Sequence, residues 1–220
     1  TAIRRQRQMC IRDRDKPRGL PDAFILGEKF IGKSGVSLIL GDNFFYGQYL
    51  SEKLKQSIKV KNGAKVFLHK VKNPEKYGVA KIKKNKIMLI KEKPKKYFSD
   101  FAITGLYFFD KNVVRYSKEL KPSKRGELEI TDLLNKYKKK NKLSADFIGR
   151  GGAWLDTGSI SDYYKTSNFV SAIENRQGFK IACIEEIAFL NKWITKKHVK
   201  NSIKFYGNCE YSTYLKKLIQ

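Results

Sequence analysis

The sequence predicts an α/β fold on one open sheet, and three observations carry that prediction. From residue 19 onward, short apolar runs bounded by turn residues alternate with segments of helical spacing. Two of the runs, residues 36–40 and 64–71, flank a helix-period segment, which makes a βαβ unit and implies parallel pairing. No run of about 18 apolar residues occurs, and the amino terminus has no apolar stretch of signal-peptide type, so a membrane span is not expected.

Element by element, residues 23–31 have helical spacing (Ala23, Phe24, Leu26, Phe30, Ile31). Residues 36–40 are a buried-strand run that ends at Gly41-Asp42-Asn43. Leu50, Leu54 and Ile58 mark one face of a helix that stops at Asn62-Gly63, and residues 64–71 read as the next strand. Residues 77–82, 86–90 and 101–109 read as further strands, with a turn at Lys84-Asn85. Residues 110–120 look helical, and Ile130, Leu133, Leu134 and Tyr137 give the i, i+3, i+4, i+7 spacing of a helix with one buried face. Residues 143–148 form a strand pattern and 159–174 a helix capped by Ser159 or Thr157. Residues 184–220 read as a small helical tail, with Trp193, Tyr206, Tyr211 and Tyr214 as packing candidates. With no repeat and no long linker, residues 16–220 are expected to form one domain carrying that tail.

Residues 1–15 fit none of this. They lack an apolar period, their charge is nearly all arginine, and Met9-Cys10-Ile11-Arg12-Asp13-Arg14 reads like translated adapter sequence, so the segment is taken as non-native. The net charge of +26 points toward nucleic acid. Its distribution points away: five of the ten arginines fall in the first 14 residues, and the rest of the excess is lysine in short runs at element ends. A solvated lysine-rich surface is the reading adopted, with no nucleic-acid partner. The hydrophobic fraction of 41% with 14 Phe and 12 Tyr argues for a packed core. Three scattered cysteines (Cys10, Cys183, Cys209) suit a reducing cytoplasm and indicate neither zinc nor a disulfide framework.

The candidate chemistry sits at strand-to-loop junctions, where the carboxyl ends of strands in an open α/β sheet line the ligand crevice. Asp42 follows an apolar run and Gly41, which leaves two readings: a carboxylate for a hard cation such as Mg²⁺, or a turn aspartate bonding its own loop. Asp156 has the same character, lying in Gly151-Gly152-Ala153-Trp154-Leu155-Asp156-Thr157-Gly158 between a strand and a helix. Lys93, before Pro94, is placed to grip a phosphate, and Glu92 to accept from sugar hydroxyls; an exposed Glu-Lys pair is the other reading. Trp154 is either core or a binding wall, and His69 and His198 are assigned to structure.

Several motifs resemble the glucose-1-phosphate thymidylyltransferases, in that family's order and approximate spacing. They are Gly19-Leu20, residues 23–32, Leu40-Gly41-Asp42-Asn43-Phe44-Phe45-Tyr46-Gly47, Asn73-Pro74-Glu75-Lys76-Tyr77-Gly78-Val79, Glu92-Lys93-Pro94 and Thr104-Gly105-Leu106-Tyr107-Phe108. Leu120 to Asp132, with its Arg-Gly-Glu-Leu-Glu-Ile-Thr-Asp run, and Ala153-Trp154-Leu155-Asp156-Thr157-Gly158 complete the set. The resemblance spans residue 16 to near the end and favours the thymidylyl branch over UTP- or ATP-using relatives.

It implies a Rossmann-like nucleotidyltransferase fold with a mixed, mostly parallel central sheet. It also implies formation of dTDP-glucose and pyrophosphate from dTTP and glucose 1-phosphate, in a cytoplasmic homo-tetramer regulated by dTDP-rhamnose. Residue by residue, Asp42 and Asp156 hold Mg²⁺ and Lys93 contacts the sugar phosphate. Glu92, Gly78 and the backbone at Ile103 hold the glucose, Gly19 and Leu20 lie against thymine, and Tyr77 and Trp154 are walls. Two departures stand out. The family's opening strand and Gly-Gly-x-Gly-Thr-Arg loop have no counterpart here, and Gly-Leu-Ala-Gln-Ala reads Gly19-Leu20-Pro21-Asp22-Ala23, where Pro21 lacks an N–H. The expectation is therefore a sheet missing its first βα unit, an unpaired apolar strand edge, and a chain with little or no turnover.

Overall fold

In the computed structural model, which describes residues 15–220, a first unit extends to Asp156 and a second covers Thr157–Gln220. The first runs α1 (Asp22–Leu26), α2 (Glu28–Ile31), β1 (Val36–Ile39), β2 (Asn43–Tyr46), α3 (Leu50–Ser57) and β3 (Ala64–Lys70). It continues with β4 (Val79–Lys83), β5 (Lys86–Lys91), β6 (Phe101–Phe109), α4 (Val113–Lys118), α5 (Ile130–Lys139), β7 (Leu143–Phe147) and β8 (Ala153–Asp156). The segment read as non-native lies almost wholly outside the described residues.

The long apolar run at 101–109 explains the centre of the sheet. Every residue of β6 after Phe101 is buried, as expected of a strand covered on both faces. Its edges are occupied by β3 on one side and by β1 and β4 on the other, and the sheet runs β5-β4-β6-β3-β7 with β1 also on β6. Among the described strands the sheet is mixed, but β3–β7 alone is parallel; β1–β6, β3–β6, β4–β6 and β4–β5 are antiparallel. This corrects the mostly parallel expectation. β1 and β3 do run in the same direction, since both are antiparallel to β6. β6 lies between them, so the crossover through α3 joins strands that are not neighbours. β1 pairs with no second strand among the described residues, and Ile39 at its end is 59% exposed.

The local signals formed as read. Lys84 and Asn85 both have positive φ (47° and 59°), the geometry of a two-residue hairpin loop, and they join β4 to β5 at the Lys83↔Lys86 pair. Ile130, Leu133, Leu134 and Tyr137 are all buried along α5. They pack with Val66, Leu68, Ile103, Tyr107, Phe109 and Phe24 in the main core. The helix expected over 23–31 is two short turns meeting at Gly27. Where β6 ends, buried Asp110 accepts from the amides of Gly63 (2.8 Å) and Asn112 (2.9 Å), the Asn112 side chain (3.0 Å) and the Tyr137 hydroxyl (2.8 Å).

The segments holding Asp42 and Asp156, read as loops, each contribute a strand. β2 and β8 form a separate two-stranded antiparallel ribbon with Asn43 opposite Asp156 and Phe45 opposite Trp154. Four-residue strands rich in Gly, Asp and Asn neighbours have no periodicity to announce them.

The second unit contains α6 (Ile160–Gln177), α7 (Ile184–Leu190), α8 (Lys196–Tyr206) and α9 (Glu210–Leu218). Ser159 caps α6 by accepting the Asp162 amide. The helical character read for 184–220 belongs to this unit, which begins at Thr157 and so includes α6. Cys183, Val199 and Leu215 are its buried centre, with Tyr211 and Tyr214 packed around them. Buried Glu185 accepts from the hydroxyls of Tyr206 and Tyr211. Trp193, expected to pack, is 72% exposed. No helix of the described residues is long and apolar enough to cross a membrane.

Candidate active site

Nine of the ten residues singled out from sequence line one cleft of about 210 Å³: Leu20, Asp42, Tyr77, Gly78, Glu92, Lys93, Ile103, Trp154 and Asp156. The tenth, Gly19, adjoins Leu20 and forms a parallel bridge with Leu128. The cleft opens where β1 ends, where β4 begins and where β5 gives way to its following loop, over the middle of β6. Residues spread along the chain from Leu20 to Asp156 therefore converge because β6 gathers the other strands around it.

The β2–β8 ribbon brings the two aspartates together. Asp156 stands across from Asn43, and Asp42 is the next residue along. Directly opposed residues in an antiparallel pair are separated by roughly 4.5–5.5 Å at Cα, so Asp156 lies that close to Asn43, while Asp42 sits in the turn just before β2, outside the ladder. The Asn43 amide donates to Asp42 Oδ1 (2.8 Å) and accepts from Trp154 Nε1 (2.6 Å) and from the Gly105 amide (3.0 Å). Trp154 is buried, with the Tyr77 ring edge-on at 5.0 Å and the His69 ring at 6.4 Å. Burial lowers the pKa of His69, against the opposing effect of the Ile148 carbonyl, which suits a neutral ring packed beside the indole.

On the opposite wall, Glu92 is held at Gly78, where a Cβ would lie 3.1 Å from Glu92 Oε2 and 2.9 Å from Thr131 Cγ2. Only glycine leaves the carboxylate and the Thr131 methyl where they are. Burial, then the neighbouring Glu129, raise the Glu92 pKa, while a hydrogen bond from Thr131 and the charges of Lys93 and Arg125 offset part of this. Burial alone would also raise Glu129, but bonds from Arg125 (2.7 and 2.9 Å) and Ser123 (2.6 Å) outweigh it and hold that carboxyl below the usual range. Buried Tyr107 lines the floor, its hydroxyl kept protonated by burial and by Glu92. Lys93 has φ +35°, uncommon for a side-chain-bearing residue, and its amide donates to the Tyr77 carbonyl (3.1 Å).

Glu92 also yields a test of the electrostatics. A carboxyl whose pKa is raised on folding binds more protons folded than unfolded, so its ionisation destabilises the fold as pH rises past the ordinary glutamate range. Glu92→Gln is therefore expected to raise the thermal midpoint at pH 7. The gain should vanish below about pH 4.3. An unchanged or lower midpoint at pH 7 contradicts the assignment.

Among the residues that sequence reading passed over are Asn43, Gly105, Tyr107 and Thr131 in the cleft, and Arg125 and Glu129 behind Glu92. All lie inside motifs that had been singled out, but their roles depend on side-chain contacts that spacing does not encode. A larger cleft of about 400 Å³ lies at the other end of β1, lined by Lys33, Val36, Ser37 and Asp110, and holds none of the predicted site residues.

A nucleotidyl transferase family model matches residues 3–173. The glucose-1-phosphate thymidylyltransferase of Neisseria gonorrhoeae is 48% identical over 204 residues, 92% of this chain and 71% of that protein. The chain belongs to the glucose-1-phosphate thymidylyltransferase family. The thymidylyltransferase of Neisseria meningitidis serogroup A is 45% identical over 93% of the chain and 71% of its own length. Among solved structures, a Bacillus anthracis protein assigned as a glucose-1-phosphate thymidylyltransferase, in complex with a sucrose, is 40% identical with a TM-score of 0.65. The match covers 72% of this chain and 63% of that one. A UDP-glucose pyrophosphorylase complexed with UDP-glucose is more distant, at 26% identity and TM-score 0.59 over 70% and 62% of the two chains. The chain thus spans about seven tenths of its curated thymidylyltransferase relatives and under two thirds of these structures.

Proposed function

We propose that this cleft holds glucose 1-phosphate beside a divalent cation, and that its chemistry is transfer of a thymidylyl group from dTTP to that sugar phosphate. The observation that carries the proposal is the convergence of Asp42 and Asp156, through the β2–β8 ribbon, on the cleft that also contains Glu92 and Lys93. In the reaction a phosphate oxygen of glucose 1-phosphate attacks the α-phosphorus of dTTP. The bond from that phosphorus to the bridging oxygen breaks, its electron pair leaving with pyrophosphate, and dTDP-glucose remains.

Two aspartates lining one cleft, one in the turn before β2 and one at the end of β8, make a hard-oxygen donor set, which suits Mg²⁺ with its remaining positions left to water and phosphate. The cation, when bound, supplies positive charge to the phosphoryl oxygens. Lys93 is placed to hold the sugar phosphate as a point charge, and Glu92 with the Gly78 and Ile103 backbone to accept and donate at sugar hydroxyls. Tyr77 and Trp154 shape the wall, and Gly19 with Leu20 lies toward the base. No side-chain nucleophile is required; the residues act by orientation and electrostatic stabilisation. A cleft of about 210 Å³ is small beside the roughly 300–1,000 Å³ that encloses a drug-sized ligand, which suits the sugar phosphate alone. A cytoplasmic, homo-tetrameric enzyme belongs to the same reading.

Calorimetric titration of the chain with glucose 1-phosphate in the presence of Mg²⁺ tests this. Saturable binding is expected, weakened roughly 10–100-fold in Lys93→Ala, the equivalent of one charge-assisted contact of about 1.5–3 kcal/mol. Equal binding of glucose 1-phosphate by the two proteins, or none by the parent chain, would refute the assignment.

A further inference from the structure

The Asn43 side chain hydrogen-bonds three other residues of the cleft, Asp42, Gly105 and Trp154. Its amide has an unambiguous orientation. The Gly105 N–H and the Trp154 indole N–H can only donate, so the atom they both meet is Oδ1, and Nδ2 is the group facing Asp42. Oδ1 thereby uses both lone pairs, and one Nδ2 hydrogen is committed to a carboxylate oxygen. The three partners come from three places: the centre of β6, the middle of β8, and the turn before β2. Backbone pairing adds a fourth link, because Asn43 is the residue opposite Asp156. Gly105 makes room for the arrangement: a Cβ there would stand 2.5 Å from Asn43 Oδ1 and 2.8 Å from Leu40 Cδ1.

We infer that Asn43 is a positioning residue that fixes the Asp42 carboxylate and the Trp154 wall in one frame, so that the cation side and the sugar side of the cleft are set together. It acts through Asp42 and Trp154 and is not assigned contact with the reacting atoms. The inference rests on the reading of the cleft proposed above, but the link itself needs no ligand.

The experiment therefore has two arms. In the metal-free ¹⁵N-labelled chain, the indole resonance of Trp154 is assigned by its disappearance in Trp154→Phe. Asp42→Ala is expected to shift that resonance in the parent chain and to leave it unmoved in an Asn43→Ala background. In the second arm, Mn²⁺ affinity is measured by electron paramagnetic resonance. Asn43→Ala is expected to weaken it roughly ten-fold, in line with other outer-shell partners of metal ligands. Trp154→Phe, which contributes no ligand, should weaken it by a smaller factor in the parent chain and have no effect in Asn43→Ala. An indole resonance indifferent to Asp42→Ala overturns the inference, as does an Mn²⁺ affinity unchanged in both Asn43→Ala and Trp154→Phe. If Asn43→Ala does not fold, by circular dichroism, Asp42→Ala and Trp154→Phe in the parent chain still decide it. If the parent chain takes up no Mn²⁺, the cation reading fails, and the resonance arm alone judges the Asn43 link.

Discussion

Asp156→Asn is expected to weaken Mn²⁺ or Mg²⁺ binding by roughly 10–100-fold or more, and Asp42→Asn to do the same. Even an outer-shell partner of a metal commonly contributes a factor of that size, and on the proposed reading these side chains supply the charge itself. Asparagine keeps the shape of aspartate and the hydrogen-bonding ladder between β2 and β8, so the fold should survive. The double variant should show little loss beyond either single one, because on the proposed reading the two residues act as a unit on one ion. Where turnover of dTTP and glucose 1-phosphate is followed, the expected loss is on the order of 10²–10³-fold, comparable with removing one preorganised stabilising group. Calorimetry or Mn²⁺ resonance on the purified proteins checks the first point. Near-parental affinity in both single variants would show that the paired carboxylates do not grip an ion.

The second large effect concerns the fold. Asp110→Ala should lower unfolding free energy by about 3–5 kcal/mol, since each buried donor left without an acceptor costs roughly 1–3 kcal/mol and the terms are less than additive. The orphaned donors are the Gly63 and Asn112 amides and the Tyr137 hydroxyl. A domain stable by only about 5–15 kcal/mol feels that strongly. Tyr137→Phe, which removes one donor and leaves the acceptor with others, should cost nearer 1 kcal/mol. Burial acts to raise the Asp110 pKa, but its hydrogen bonds prevail and the carboxyl lies below the ordinary range. A depressed carboxyl contributes stability that is present above the ordinary aspartate value, near 3.9, and lost as pH falls through the folded one. The gap between parent and Asp110→Ala should therefore be full at neutral pH and shrink below about pH 4. Urea titrations at pH 7 and in that acid range measure both points, and a gap under about 1 kcal/mol at pH 7 contradicts the account.

These two aspartate sites differ in how far the sequence revealed them. Asp42 and Asp156 were picked out by glycine neighbours and by motif, yet nothing in their 114-residue separation says that they meet. Asp110 gave no signal at all, because its importance lies in donors from residues 63, 112 and 137 that only folding assembles. The strands of the main sheet were legible because long apolar runs such as 101–109 have one way to be satisfied, and α5 because its apolar spacing leaves one buried face. Strand neighbours were not, since apolar burial is non-directional and does not state which edge pairs with which. The parallel β1–β3 contact implied by a βαβ pattern gave way to β6 for that reason.

By itself, then, the sequence determined the elements of the main sheet and the helices on it, the thymidylyltransferase motifs and nine of the sixteen residues that line the cleft, because those follow from local periodicity and residue chemistry. The tertiary structure alone decided the antiparallel insertion of β6 and the short β2–β8 ribbon that puts Asn43 between two carboxylates and an indole. Such pairings are set by hydrogen bonds between residues distant in sequence, 31 positions for Lys70 and Phe101 and 113 for Asn43 and Asp156, and no local pattern of side chains encodes them.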